Sequence, residues 1–391
     1  MSIRKIWSVQ DIEQAAFGGA GGASRRQALK TLAAASATAA LGPFAFPRPA
    51  RAEIGGPLQV MAWEGFDLTN ELKDWRAKHG VTETVAAIGN QDDVQAKFIA
   101  GNPPTIDLAE YNQGYNHLYG DDLKIIRPLE MAKIPNYNAQ DIFPGFYQQP
   151  SWYWNNTQYG IPWTWGLNSL VYNKTKMKAP TSYSDLLAPD LKGKIALVDD
   201  TLATWPVAAA IAGFGPDRYP NLTHEEMAKV FDNLKAYRDN ARVIALTYGD
   251  VISMFVSGEI LAIFCGWSGI PVETAKQKVE TAYVIPKEGA TMWCDAWFTP
   301  ISVGNPDTAY GFINEAISPT VQAQMAKAVT AGTVNKNAVA LMDPDTRALF
   351  DYSDLDAVFK DAPLLGIPPR KSDTLATYSD WVDAWNQFKA G

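Results

Sequence analysis

Short apolar runs alternate with amphipathic stretches along most of this chain, the rhythm of an α/β protein. Leu58-Gln59-Val60-Met61-Ala62-Trp63 reads as a first strand, and Glu71 to Lys78 as a helix that His79-Gly80 brings to a stop. Ile195 to Val198 is an unbroken apolar run of strand length that leads into Asp199-Asp200. Thr223 to Asp239 is the clearest helix. Met227, Val230, Phe231, Leu234 and Tyr237 share one face, and Thr223 with Glu226 has the spacing of a capping box. Gly249 to Val256 reads as a helix and Ile260 to Phe264 as a strand. Asp307 to Ile317 and Thr320 to Val329 follow as two helices joined at Ser318-Pro319. No internal repeat, low-complexity tract or obvious linker is present, which points to lobes that exchange strands.

The start of the chain breaks the rhythm. Ser24-Arg25-Arg26-Gln27-Ala28-Leu29-Lys30 precedes a mild apolar stretch, Thr31 to Leu41, and then the small-x-small signal Ala50-Arg51-Ala52. Residues 1–52 are expected to be a cleaved twin-arginine export leader, read by the twin-arginine export machinery. The apolar part is too short and alanine-rich to anchor in a bilayer. The mature chain would begin near Glu53 and work in the periplasm. Roughly 340 residues then remain, a length suited to two lobes. No later segment has the apolar length of a membrane helix.

Charge adds a bias. The leader holds seven cationic residues against Asp11 and Glu13, so its removal takes the formal charge from −8 to −13. An acidic surface argues against nucleic acid and anionic lipid; it either steers a cationic ligand or simply keeps the protein in solution. The cysteines Cys265 and Cys294 and the histidines His79, His117 and His224 match no zinc spacing, and no calcium loop is present. Neither a metal nor a cofactor is expected. The thiols either pair in an oxidising compartment or stay buried and inert.

Aromatic residues are concentrated. Trp152, Trp154, Trp163 and Trp165 stand close together, and Trp293 and Trp297 bracket Asp295. A tryptophan is usually a core residue, but beside a carboxylate in a cleft it can form a cation–π cage for an ammonium group, about 1–2 kcal/mol per ring when desolvated. Trp293-x-Asp295 and Trp63-Glu64 are the two candidates.

Several ordered segments resemble one family: the first strand and loop from Leu58 to Phe66, Tyr159 to Gly166 and on to Tyr172-Asn173, Leu191 to Lys194 followed by a strand and Asp199-Asp200, Ser257-Gly258-Glu259 followed by a strand and Gly266-Trp267, and Trp293-Cys294-Asp295. Together they are similar to the periplasmic spermidine/putrescine-binding proteins of ABC importers. The resemblance implies a two-lobe type II periplasmic-binding-protein fold, each lobe a mixed sheet flanked by helices with the ligand cleft between them. Residues 53–168 and 297–338 would form the first lobe, and 169–296 with 339–391 the second. It implies a monomer that catalyses nothing, captures a small amine by hinge closure and hands it to an ABC permease in the inner membrane.

Carried over by position, Trp63 and Phe66 would form one wall, Phe66 standing where the family has a tyrosine. Asn112 replaces a serine, Trp267 and Trp293 supply ring faces, Asp295 is the main ammonium partner, and Asp200 matches a carboxylate for the far amine or simply caps a helix. Glu64, Trp165 and Thr333 are lesser candidates. The departures all remove distal acid: Ala203 stands where spermidine binders have a glutamate, Ile270 where putrescine binders have an aspartate, and Gly65 where the family has an acidic residue. Glu64 or Glu110 could restore a carboxylate from a shifted position. The pattern therefore favours a single ammonium with a different far end, such as a zwitterionic ω-amino acid. Arg238 and Arg242 are the nearest candidates for a carboxylate end, although both read as ordinary helix-end and strand residues. The rivals are a sugar-binding importer component, because tryptophans and acids also grip pyranose rings, and an exported enzyme with Cys265 or Cys294 as nucleophile.

Overall fold

Strand β1 (Gly56–Trp63) has Leu58, Val60, Met61 and Ala62 fully buried, as in a strand covered on both faces. The computed structural model describes residues 54–391 apart from Glu64 and residues 89–90, 92–93, 95–96 and 99–105. The leader expected at 1–52 and the candidate Glu64 thus lie outside the described residues. Helix α1 (Lys73–His79) stops at Gly80, whose φ of +61° is left-handed and lets its N–H bond back to the carbonyl of Arg76. Strand β2 (Val81–Ile88) then runs parallel to β1, and β3 (Leu108–Asn112) lies parallel along its other edge. After the small hairpin β4 (Tyr153–Trp154) and β5 (Thr157–Gln158) comes β6 (Ile161–Asn173), with all thirteen residues buried.

Strand β7 (Ile195–Val198) ends in Asp199-Asp200, and Asp200 caps α2 (Thr201–Ile211) by accepting from the Ala203 N–H. Helix α3 (His224–Asn240) starts on the expected capping box. The Thr223 hydroxyl accepts from the Glu226 N–H at 3.3 Å, and the Glu226 carboxylate accepts from the Thr223 N–H at 2.9 Å. Strand β8 (Ala241–Ala245), helix α4 (Tyr248–Ser257), strand β9 (Ala262–Trp267) and helix α5 (Ile270–Lys276) follow. The strand expected from Ile260 is shifted to Ala262–Trp267, because the left-handed cap Gly258 and the turn behind it use the residues before it. Strands β10 (Thr281–Val284) and β11 (Thr291–Phe298), helices α6 (Pro306–Ala316) and α7 (Pro319–Ala328), strand β12 (Gly332–Thr333) and helix α8 (Tyr378–Ala390) complete the elements used below.

Ten strands form one mixed sheet in the order β2-β1-β3-β11-β6-β9-β7-β8, with β10 and β12 also paired to β6. The β1–β2, β1–β3, β7–β8 and β7–β9 pairs are parallel. Every pair made by β6 and β11 is antiparallel. Strand β6 feeds three apolar cores, two of them large. Trp163, Trp165 and Leu167 pack with Leu58, Leu108 and Phe312 in one, whereas Leu170 and Tyr172 pack with Leu197, Trp205 and Trp381 in the other. The fold is the α/β architecture the sequence led us to expect.

Candidate ligand-binding site

Parallel strands β1, β3, β7 and β9 all end in candidate residues: Trp63, Asn112, Asp199-Asp200 and Trp267. Carboxyl ends of parallel strands are where α/β sheets leave room for ligands. Strand β11 crosses beside β3 in a register that sets Asp295 opposite Asn112 and Trp297 opposite Glu110. Side chains directly across an antiparallel ladder share a face, and so do residues two apart. Glu110, Asn112, Asp295 and Trp297 therefore stand on one side of the sheet.

Asp295 is the electrostatic centre of this face. It is 5% exposed and accepts a hydrogen bond from the Asn112 amide at 3.2 Å. The Asn112 carbonyl oxygen in turn accepts from the Gly114 N–H, which fixes the amide's orientation. Burial pushes the Asp295 pKa from the ordinary 3.8 up to about 7; the Asn112 bond opposes this, the Asp200 charge adds to it, and the Trp63 indole N–H draws it down. Asp200 accepts from the Tyr248 hydroxyl at 2.9 Å besides capping α2, and burial raises its pKa while those bonds oppose the rise. Asp200 is thus at once a helix cap and a carboxylate within electrostatic reach of Asp295.

Aromatic rings wall the same region. Phe66 meets Trp163 and Trp293 edge-on at 6.2 and 6.3 Å, and Trp163 stacks on Trp297 at 5.1 Å. The Trp293 indole lies across Gly166, where a Cβ would stand 2.5 Å from the ring. Trp163 owes its position to a bulge. The β6–β11 ladder pairs Pro162 with Ala296 and Thr164 with Asp295, so Trp163 is the extra residue between two rungs. Trp63, Trp163 and Trp297 have buried indole nitrogens without a hydrogen-bond partner, and the Thr164 hydroxyl, directly across from Asp295, has none either.

The remaining candidates are dispersed. Trp267, partly buried at the end of β9, pairs with Asn168 and lays its ring across Gly269. Trp165 is fully buried, donates to the Thr333 carbonyl at 2.8 Å and packs on Phe146 and Phe350. The Thr333 hydroxyl is bound to Gln322 at 2.7 Å, so both residues serve core packing. Arg238 bonds to Asp239 and the Phe388 carbonyl, and Arg242 pairs with Glu259. Neither arginine is among the charges acting on Asp295. Cys265 and Cys294 are free, buried thiols. Tyr111, Tyr115 and Tyr119 build a buried aromatic ladder. Among the described residues, no cluster of His, Cys, Asp and Glu could hold a metal ion, and no helix is long and apolar enough to cross a membrane.

Of this face, Trp163 and Trp297 stood out in the sequence only as part of the aromatic concentration, and Thr164 did not stand out at all. The parity of 295 and 297 along a strand was available for Trp297, but the pairing that gives it meaning was not.

The sheet order, the antiparallel β6 and β11 inserted between parallel sets, and the carboxylate at the strand ends define a type II periplasmic-binding-protein fold. Solved structures share it. A spermidine/putrescine ABC transporter substrate-binding protein from Streptococcus pneumoniae superposes with a TM-score of 0.69 at 21% identity, covering 86% of this chain and 99% of that one. A GABA receptor superposes with a TM-score of 0.63 at 17% identity, covering 85% and 95%. The Escherichia coli (strain K12) spermidine/putrescine-binding periplasmic protein is 23% identical over 348 residues, 88% of this chain and 94% of the relative. The family of bacterial extracellular solute-binding proteins matches residues 72–353, and the chain belongs to it.

Proposed function

We propose that this chain is the solute-capturing component of an ABC importer and that its ligand is a small amine whose ammonium group binds Asp295 inside the ring of indoles. One observation carries the reading. Asp295 is buried, the charge acting on it is another carboxylate, and the side-chain donors acting on it, the Asn112 amide and the Trp63 indole, are both uncharged. An ionised carboxylate in so dry a place calls for a cation, and an ammonium supplies both the charge and the missing N–H donors. Phe66, Trp63, Trp293 and, from the second core's side, Trp267 and Asp200 would enclose it. The amine-binding names of its relatives agree with this chemistry.

The ligand's far end differs from a second ammonium, because Ala203 and Ile270 occupy positions where the resemblance led us to expect acids. The protein is exported through its twin-arginine leader to the periplasm, acts as a monomer without cofactor or nucleic acid, and passes its ligand to an inner-membrane permease. The two lobes divide as 53–168 with 297–338 and 169–296 with 339–391. Burial pushes both thiols well above the usual range, which disfavours a cysteine nucleophile and hence the enzyme reading.

Titration calorimetry with putrescine, spermidine and γ-aminobutyrate tests the reading. Binding of any one of them, lost in Asp295→Asn, is the expected result. Sub-micromolar putrescine binding would end the single-ammonium idea alone, and silence from all three would end the amine reading.

A further inference from the structure

Two acidic residues three positions apart, Asp107 just before β3 and Glu110 within it, are treated in opposite ways by the fold. Asp107 is 4% exposed and accepts three backbone N–H groups, from Gln59 at 2.9 Å and from Gly304 and Asn305 at 2.8 Å each. That is how a structural carboxylate is satisfied. Glu110 is fully buried, yet neither of its oxygens has a donor within hydrogen-bond distance, and the Trp163 indole N–H that acts on it only weakly offsets its burial. It stands on the same face as Asn112 and Asp295, opposite Trp297. Asp295 is the first charge that acts on it. Other buried polar atoms of this face also have no partner at hydrogen-bond distance: the indole N–H groups of Trp163 and Trp297 and the Thr164 hydroxyl. An unpaired buried polar group costs about 1–3 kcal/mol. Four such residues on one face of one sheet mark a place arranged for a molecule that brings the missing partners.

We propose that Glu110 is a ligand-contacting residue: with Asp295 it forms a two-carboxyl clamp that holds one cationic nitrogen bearing two or more N–H bonds, and the clamp releases a proton as it fills. This rests on the amine reading above and deepens it, because it puts both acids at the same end of the ligand. A second carboxylate at the near end also accounts for the loss of acids at the far end. The clamp selects primary ammonium or guanidinium heads over fully substituted ones, which have no N–H to share between two acids. The indole N–H groups of Trp63 and Trp163 then steady the ionised carboxylates once the cation is in place.

The proton follows from the surroundings. Among the described residues, the charged groups acting on the pair are all acidic: Asp295 and Asp67 on Glu110, and Asp200 on Asp295. Burial raises Glu110 well above the ordinary carboxylic range, which favours the neutral acid in the empty site. A nitrogen cation held between the two oxygens removes the reason for that proton, which passes to solvent. Asp295, near 7, is already ionised at pH 8. Release at that pH therefore reports on Glu110.

The experiment is calorimetric titration of the whole protein with putrescine and with γ-aminobutyrate at pH 8, in phosphate and in Tris, whose ionisation enthalpies differ. The expected result is a buffer-dependent heat equal to on the order of one proton released per amine bound. Glu110→Gln should abolish that dependence and weaken binding about ten- to a hundredfold, the loss of one charge-assisted hydrogen bond. Wild-type binding with no proton released at pH 8 overturns the clamp without any variant. Glu110→Gln that binds as tightly as wild type also overturns it, while loss of binding in Asp295→Asn alone leaves the amine reading standing. If wild type binds neither probe, the clamp falls, and the amine reading falls with it if spermidine is also silent.

Discussion

Replacing Asp295 by Asn should make the empty protein more stable at alkaline pH while destroying its use. The carboxyl's pKa rises from 3.8 in the unfolded chain to about 7 in the fold, roughly three units, chiefly through burial. At about 1.36 kcal/mol per unit, folding with Asp295 ionised costs on the order of 4 kcal/mol. The sign is that of an acid whose folded-state pKa is raised. Below pH 3.8 the group is protonated in both states and costs nothing, the cost grows between 3.8 and 7, and above 7 it is complete. Asn keeps the oxygen that accepts from Asn112 and carries no charge. Thermal unfolding of ligand-free wild type and Asp295→Asn at pH 4 and pH 8 measures this directly. The variant should melt several degrees higher at pH 8, at about 2 °C per kcal/mol for a chain of this size, and nearly together with wild type at pH 4. A melting difference that is the same at both pH values would refute the reasoning, because no other charge is altered.

Further outcomes follow from the same structure. Gly166→Ala puts a Cβ 2.5 Å from the Trp293 ring, so the ring must tilt, and amine affinity measured by calorimetry should drop about five- to thirtyfold with no change in charge. Thr223→Ala removes the hydroxyl of the α3 capping box and should lower stability by ~1 kcal/mol in urea unfolding, leaving affinity unchanged. Cys265 and Cys294 should stay unreactive toward a thiol reagent such as Ellman's in native buffer and react fully in guanidinium, since both are buried with raised pKa values.

Local chemistry was legible in the sequence wherever neighbours along the chain decide the outcome. The Thr223–Glu226 box, the Asp200 cap and the Gly80 stop all depend on residues within a few positions of each other. Long-range pairing was not legible. A continuous 13-residue β6 touching β11, β12, β9 and β10 follows from partners far away along the chain, and periodicity cannot name them. The tryptophans illustrate the cost. Trp163 and Trp165 have the same parity and would share a face in a regular strand. The bulge at Trp163 separates them, so that Trp163 stacks on Trp297 whereas Trp165 enters the core beside Phe350. Glu110 could be noticed as an acid in an apolar run, yet its isolation became visible only once every nearby donor had been assigned.

Synthesis of this polypeptide lays down β6 early, but its two flanking rungs toward the first core, β11 and β12, arrive only with residues 291–298 and 332–333. A nascent chain cut short of them would present a bare, sticky ribbon with half its amides unmatched. Trimming the carboxyl end should therefore act as an all-or-nothing failure of maturation and aggregation, never as a graded softening of the finished protein.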